Sequence, residues 1–207
     1  MVQAQRIYPR FRNPGRRKQP LRLSLNLNPE IAKRIHRISL GLPELTGSPI
    51  RVLMRPQLTA YRGELLSGHP VFGNAVYAAS FIRKRRIVLE TELLKQPLSL
   101  RLILIHEIFH FVWARLGNRL RREYATLLNE ELKHGAKGEL GESSNVRKTL
   151  LTHGSRHARD YVCESFCDSA AWLYAGVKHH PEFTLARRWS KLRKSWFDSV
   201  FAVPRAC

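Results

Sequence analysis

The apolar positions of this chain change period several times, and each change predicts an element. Leu21-Arg-Leu-Ser-Leu-Asn-Leu27 alternates residue by residue, the pattern of a half-buried strand. Asn28, Pro29 and Glu30 then read as an N-cap, a first-turn proline and a first-turn acid, predicting a helix through about Ile38. Pro49 to Met54 reads as a second strand and Ala75 to Ile82 as a third. A turn at Arg83 to Arg85 returns the chain through Ile87, Val88 and Leu89 as a hairpin. The apolar run around Leu102 to Trp113 predicts a long buried helix from Ser99 to Gly117. A more polar helical stretch over 119–133 leads into a surface loop, Gly135 to Ser144. Another helix covers Arg156 to Ala175 and closes at Gly176, and a last one from about Pro181 buries Trp189, Trp196 and Phe197. The first 20 residues carry no hydrophobic period and are expected to form a flexible arm, leaving 21–207 as one domain. Strands first and helices after predict an α+β fold: a small twisted sheet over the helix at His106, with the helix around Glu164 crossing below.

Composition narrows the picture. The 207 residues are 43% hydrophobic and 25% charged, enough for one sizeable core. No uncharged apolar run reaches the length of about 18 residues that a spanning helix needs, so no membrane insertion is expected. The basic N-terminus is not followed by a continuous apolar region, which argues against a secretory signal. Three cysteines make no disulfide framework, so a reducing, cytoplasmic compartment is expected. Lys and Arg number 36 against 16 acidic residues, a net charge of +20. Residues 1–37 alone hold ten bases and one acid, Glu30. Such a surface attracts nucleic acid or other polyanions, with the N-terminal arm as the natural contact, unless it is simply a solvated basic face.

The chemistry lies inside the apolar helix. Leu102-Ile-Leu-Ile-His106-Glu107-Ile-Phe-His110-Phe-Val-Trp113 buries three polar residues that must be satisfied there. His106 and His110, four apart, share a helical face and can reach one zinc ion, while Glu107 is placed as a base toward a water beside it. A catalytic zinc takes three protein ligands and keeps one position open. On the helix over 156–175, His157, Asp160, Glu164 and Asp168 fall within about 40° of one stripe backed by Ala171 and Ala175. Glu164 is the favoured third ligand, with Asp168 one turn on to bond the far nitrogen of a ligand histidine. His157, Asp160 and His153 stay open as rivals. Cys163 and Cys167 on the same helix read as buried structural thiols, with redox sensing or metal ligation as the alternatives. Trp172, Trp189 and Trp196 read as core, with a stacking platform for single-stranded nucleic acid as the other reading. His179 and His180 read as a surface turn, and His36, His69 and His134 carry no signal.

His106-Glu-Ile-Phe-His110 followed by Glu164-Ser-Phe-Cys-Asp168 resembles the gluzincin clan of zinc metallopeptidases, with its HExxH and downstream ExxxD. The order of strand pair, motif helix and ligand helix, and the small-residue run from Asp168 to Leu173, is similar to the ImmA/IrrE family of cytoplasmic peptidases. The likeness covers roughly residues 70–176 and is specific at the two motifs. It implies a minimal zincin-like domain holding one Zn2+ per chain on His106, His110 and Glu164, with Glu107 as the catalytic base. It also implies hydrolysis of a peptide or protein substrate, a regulatory DNA-binding protein in that family. The strand near Ala75 to Ile82 would offer its edge to an extended peptide. An oxyanion donor is also needed, for which Tyr161, His153 and His157 are the candidates. The competing expectation is a basic nucleic-acid-binding or regulatory protein whose zinc site is structural or degenerate.

Overall fold

A computed structural model describes residues 19–68, 72–151 and 155–207. The expected arm lies almost wholly outside these residues, as does His153. Gln19 and Pro20 do not belong to a free arm, because the Gln19 carbonyl accepts the Gly47 N–H and Pro20 bridges to Thr46.

The alternating Leu segment forms β1 (Leu23–Leu25), and α1 (Pro29–Ser39) follows with the expected cap, the Asn28 side chain accepting the Glu30 N–H at 2.9 Å. After the short β2 (Leu45–Thr46) comes β3 (Ile50–Arg55), which buries Ile50, Val52 and Met54 and turns Arg51 and Arg55 outward. A hairpin that the hydrophobic pattern does not announce follows: β4 (Thr59–Tyr61) and β5 (Glu64–Leu66). Its two-residue turn, Arg62-Gly63, has positive φ at both positions, as a type I′ turn requires.

The single strand expected over Ala75 to Ile82 is two. β6 (Asn74–Ala75) pairs with β4, and β7 (Ala78–Phe81) pairs antiparallel with β8 (Arg86–Glu90). The chain changes sheets between them, since the Val76 N–H bonds Leu58 while the Tyr77 carbonyl accepts the Glu90 N–H. The main sheet has the order β1-β3-β8-β7, parallel except for β7 at the edge. β8 is central and buries Ile87, Val88, Leu89 and Glu90.

Helix α2 (Pro97–Arg115) packs on this sheet and against α5 (Ser155–Tyr174), with α3 (Asn118–Lys133) and α4 (Glu142–Thr149) between them in the chain. By length and composition alone α2 would span a membrane, with mean hydropathy 1.3, but ten of its residues, His106 and Glu107 among them, are buried in the fold. α6 (Arg187–Val200) then crosses the bundle, and β9 (Arg205–Ala206) returns beside β2. Phe197 is buried within an aromatic cluster of Phe109, Phe166, Trp196 and Tyr174, and Trp189 packs with Trp172 in a smaller cluster, so the tryptophans serve the core. The whole is α+β.

The expected surface loop at 135–144 is a correction. Glu139 and Ser144 are fully buried, Leu140 nearly so, and α4 begins at Glu142. The cause is a charged network described below, which no hydrophobic period could announce.

Candidate metal centre

Pro97 in the first turn starts α2, and ten buried positions hold it against the sheet and α5. The four-residue spacing stacks the two imidazoles edge to face, ring centres 4.8 Å apart, and brings their Nε2 atoms to 3.1 Å. Across from them, α5 supplies Glu164, whose Oε2 lies 3.2 Å from His106 Nε2 and 3.8 Å from His110 Nε2. One turn on, Asp168 Oδ1 accepts from His106 Nδ1–H at 2.7 Å, and its Oδ2 accepts the backbone N–H of Ser144 at 2.7 Å. The other edge of the His110 ring faces two thiols: Nδ1 lies 3.6 Å from Cys163 Sγ and 3.4 Å from Cys167 Sγ. His106, His110 and Cys167 form a buried group whose ligand atoms lie within 4.8 Å of one another and which can hold a metal ion.

Burial alone lowers the pKa of His106, but the charge and hydrogen bond of Asp168 override it and raise it well above the ordinary histidine value. Burial likewise works against a charged His110, and the Cys163 contact raises it on balance. Burial raises Glu164, yet the hydrogen bond from His106 and the charge of His110 bring it below the usual carboxylate value. These directions favour a charged histidine beside a charged Glu164, and a metal on the same nitrogen would compete with that proton. The contact from Cys167 draws the Cys163 thiol down to about 6, while burial pushes Cys167 well up.

Glu107 is 8% exposed, and its backbone carbonyl accepts the Ser80 hydroxyl of β7 at 3.0 Å. Its carboxylate has no hydrogen-bond partner among the described residues. It lines, with His106 and Asp168, a cleft of about 560 Å³. Along β7, bonds to β8 alternate, so the N–H and C=O groups of Ala78 and Ser80 point to the open side, and Ala78 borders the cleft.

The structure thus brings His106, Glu107, His110, Glu164 and Asp168 together. Of these, His106, Glu107 and Asp168 line the cleft; His110 and Glu164 lie behind His106 and, like Tyr161 and His157, are not among its lining residues. The Tyr161 hydroxyl is buried and donates to Glu139 Oε1 at 2.5 Å, which commits it to the interior. His180, read from the sequence as part of a surface turn, is the histidine that lines the cleft outside α2. No signal in the sequence points to it, because a loop of twelve residues between α5 and α6 carries it across. Comparison with models of known protein families, with curated proteins and with solved structures gives no match.

Proposed function

We propose that this chain is a zinc-dependent metallopeptidase of the gluzincin type with a zincin-like fold, acting in the cytoplasm on a narrow set of proteins. The observation that carries the reading is the triangle of His106 Nε2, His110 Nε2 and Glu164 Oε2, with sides of 3.1, 3.2 and 3.8 Å. Three ligands on a tetrahedral zinc at the usual bond lengths stand about 3.3 Å apart. Cys167 fits less well as the third ligand, because its sulfur meets His110 at Nδ1, the edge turned away from His106.

Held by these residues, the ion would polarise a scissile carbonyl and lower the pKa of a water beside it. Glu107, unpartnered and next to His106 in the chain, takes the proton from that water and passes it to the leaving amine. Asp168 keeps the proton of His106 on Nδ1 and so turns Nε2 toward the metal position. The edge of β7 that is open among the described residues pairs with an extended peptide and lays its carbonyl over the cleft. His180 stands in place of Tyr161 as the donor for a developing oxyanion.

The test is elemental analysis of the full chain beside His106→Ala, Glu164→Ala, Cys167→Ser and Glu107→Gln, each also incubated with a quenched-fluorescent peptide library. The expected result is one zinc per chain in the wild type, Cys167→Ser and Glu107→Gln, and little in the other two. Hydrolysis should fall at least ~10²-fold in Glu107→Gln while zinc stays. A wild type that takes up no zinc, or a Glu107→Gln as active as the wild type, would overturn the reading.

A further inference from the structure

The cleft at Glu107 continues into a second basin of about 710 Å³, the two sharing Val76, Tyr77 and Gln96 as common lining. The chain has 36 basic and 16 acidic residues, yet no lysine or arginine is found among the described residues that line either basin. Six carboxylates are: Glu107, Glu142, Asp168 and Glu182 around the first, Glu90 and Glu92 around the second. A surface this basic would place several cations in a groove of that size by chance, so the reversal of sign is local to the groove.

Two of the six are bound into the fold. Asp168 is held by His106 and Ser144, and Glu90 accepts the Leu58 N–H at 2.6 Å. Glu142 and Glu182 are exposed on one bank beside the first basin, where the Glu182 carboxylate also accepts the Glu142 N–H at 3.1 Å. Glu92 borders the second basin, with one exposed partner, Lys95, at 2.9 Å. Glu107, more than nine-tenths buried and without a hydrogen-bond partner among the described residues, lines the first basin and points to a ligand there.

We infer that the groove selects extended peptides carrying Lys or Arg on both sides of the bond presented to Glu107. One cation would be met by Glu142 and Glu182 and the other by Glu92. This substrate class rests on the peptidase reading above. Electrostatic complementarity of this kind gives selectivity and faster encounter, and it weakens with salt. It also runs against the net charge of +20, which by itself repels a basic peptide and attracts an acidic one.

The experiment uses the full-length chain with zinc and two labelled peptides of equal length and identical apolar centre, flanked by lysines in one and by glutamates in the other. Fluorescence anisotropy is measured with wild type, Glu107→Gln, Glu142→Gln, Glu182→Gln and Glu92→Gln, and cleavage is followed with wild type. Each Gln keeps the acceptor oxygen and removes only the charge. The lysine peptide should bind roughly tenfold tighter than the glutamate peptide at low salt. Each of the three rim substitutions should weaken it about two- to fivefold, with Glu107→Gln still binding. Preference for the glutamate peptide, or a lysine preference unmoved by the rim variants, overturns the inference. If both peptides are cleaved at equal efficiency, the groove proposal falls and the peptidase reading stands. If the lysine peptide binds through the rim and is never cut, the peptidase reading falls and the groove stands.

Discussion

Asp168 ties three segments together through one carboxylate: His106 on α2 at Oδ1, Ser144 at the start of α4 at Oδ2, and its own helix α5. Its place is kept by Gly141, where an added Cβ would overlap the Asp168 carboxyl group. The φ of Gly141 is −179°, extended backbone open to any residue, so the glycine serves the close approach alone. Gly141→Ala should therefore leave the fold intact but push Asp168 from His106, lowering zinc affinity about 10–100-fold in a competition titration against a chelator. Unchanged affinity would mean that Asp168 does not orient the ligand. At this scale the sequence was a good guide to α2 and α5, since helical spacing alone aligns His106 with His110 and Glu164 with Asp168. It was a poor guide to Tyr161 and His180, because which way a helix face turns and where a loop lands are set by neighbours distant in sequence.

Among the elements, β8 acts beyond its own sheet. Glu90 at its end accepts hydrogen bonds from the Leu58 and Glu92 N–H groups and the Thr91 hydroxyl, joining the small sheet of β4, β5 and β6 to the main one. Burial opposes its charge, but the Leu58 amide and the other donors outweigh burial and hold its pKa below the ordinary glutamate value. Removing the acceptor in Glu90→Ala leaves the buried Leu58 amide unpaired, a cost of about 1–3 kcal/mol. Hydrogen exchange should then speed up across β4, β5 and β6 while β3 and β8 stay protected; equal loss in both sheets would count against a local anchor. β1 and α1 were legible because alternation and capping are local. The split between β6 and β7 was not, since the residues run on in one apolar stretch and only their partners, β4 and β8, tell them apart.

Over the whole molecule, the fully buried guanidinium of Arg193 on α6 joins Glu131 of α3 at 2.6 Å, Glu139 of the α3–α4 connection at 2.7 Å and Ser165 of α5 at 2.9 Å. Lys148 adds a second cation 3.1 Å from Glu139. Loss of Arg193 in Arg193→Met would strand the buried Glu131 and leave Glu139 with Lys148 and Tyr161, costing about 3–5 kcal/mol. The two acids titrate in opposite senses. Burial raises Glu139, but Arg193 overrides it and leaves its pKa below the ordinary value. Burial wins at Glu131 and raises it. The Glu139 contribution is thus present above the unfolded carboxylate pKa of about 4.3 and is lost as pH falls through the lower folded value. The Glu131 contribution runs the other way, present below about pH 4.3 and lost as pH rises through its raised value. Urea unfolding between about pH 3 and 6 should show a shallower acid limb for Glu139→Gln than for wild type. Identical slopes would mean that Glu139 is not held charged by Arg193.

Local rules determined much of this protein. Alternation set β1 and β3, capping set α1, and a period of 3.6 put two imidazoles on one face of a helix too apolar to stay exposed. Those rules act within one or two turns, and what they determine is which side chains can share a face. Whether Glu164 meets His106, which histidine borders the cleft, and why 139–141 is buried depend on α5, α6 and the Arg193 network closing over one another. The groove's negative lining was equally hidden, because its carboxylates come from five separate segments of a chain whose composition is basic. Long-range charge pairing leaves no period in a sequence, so only the packed structure decided it.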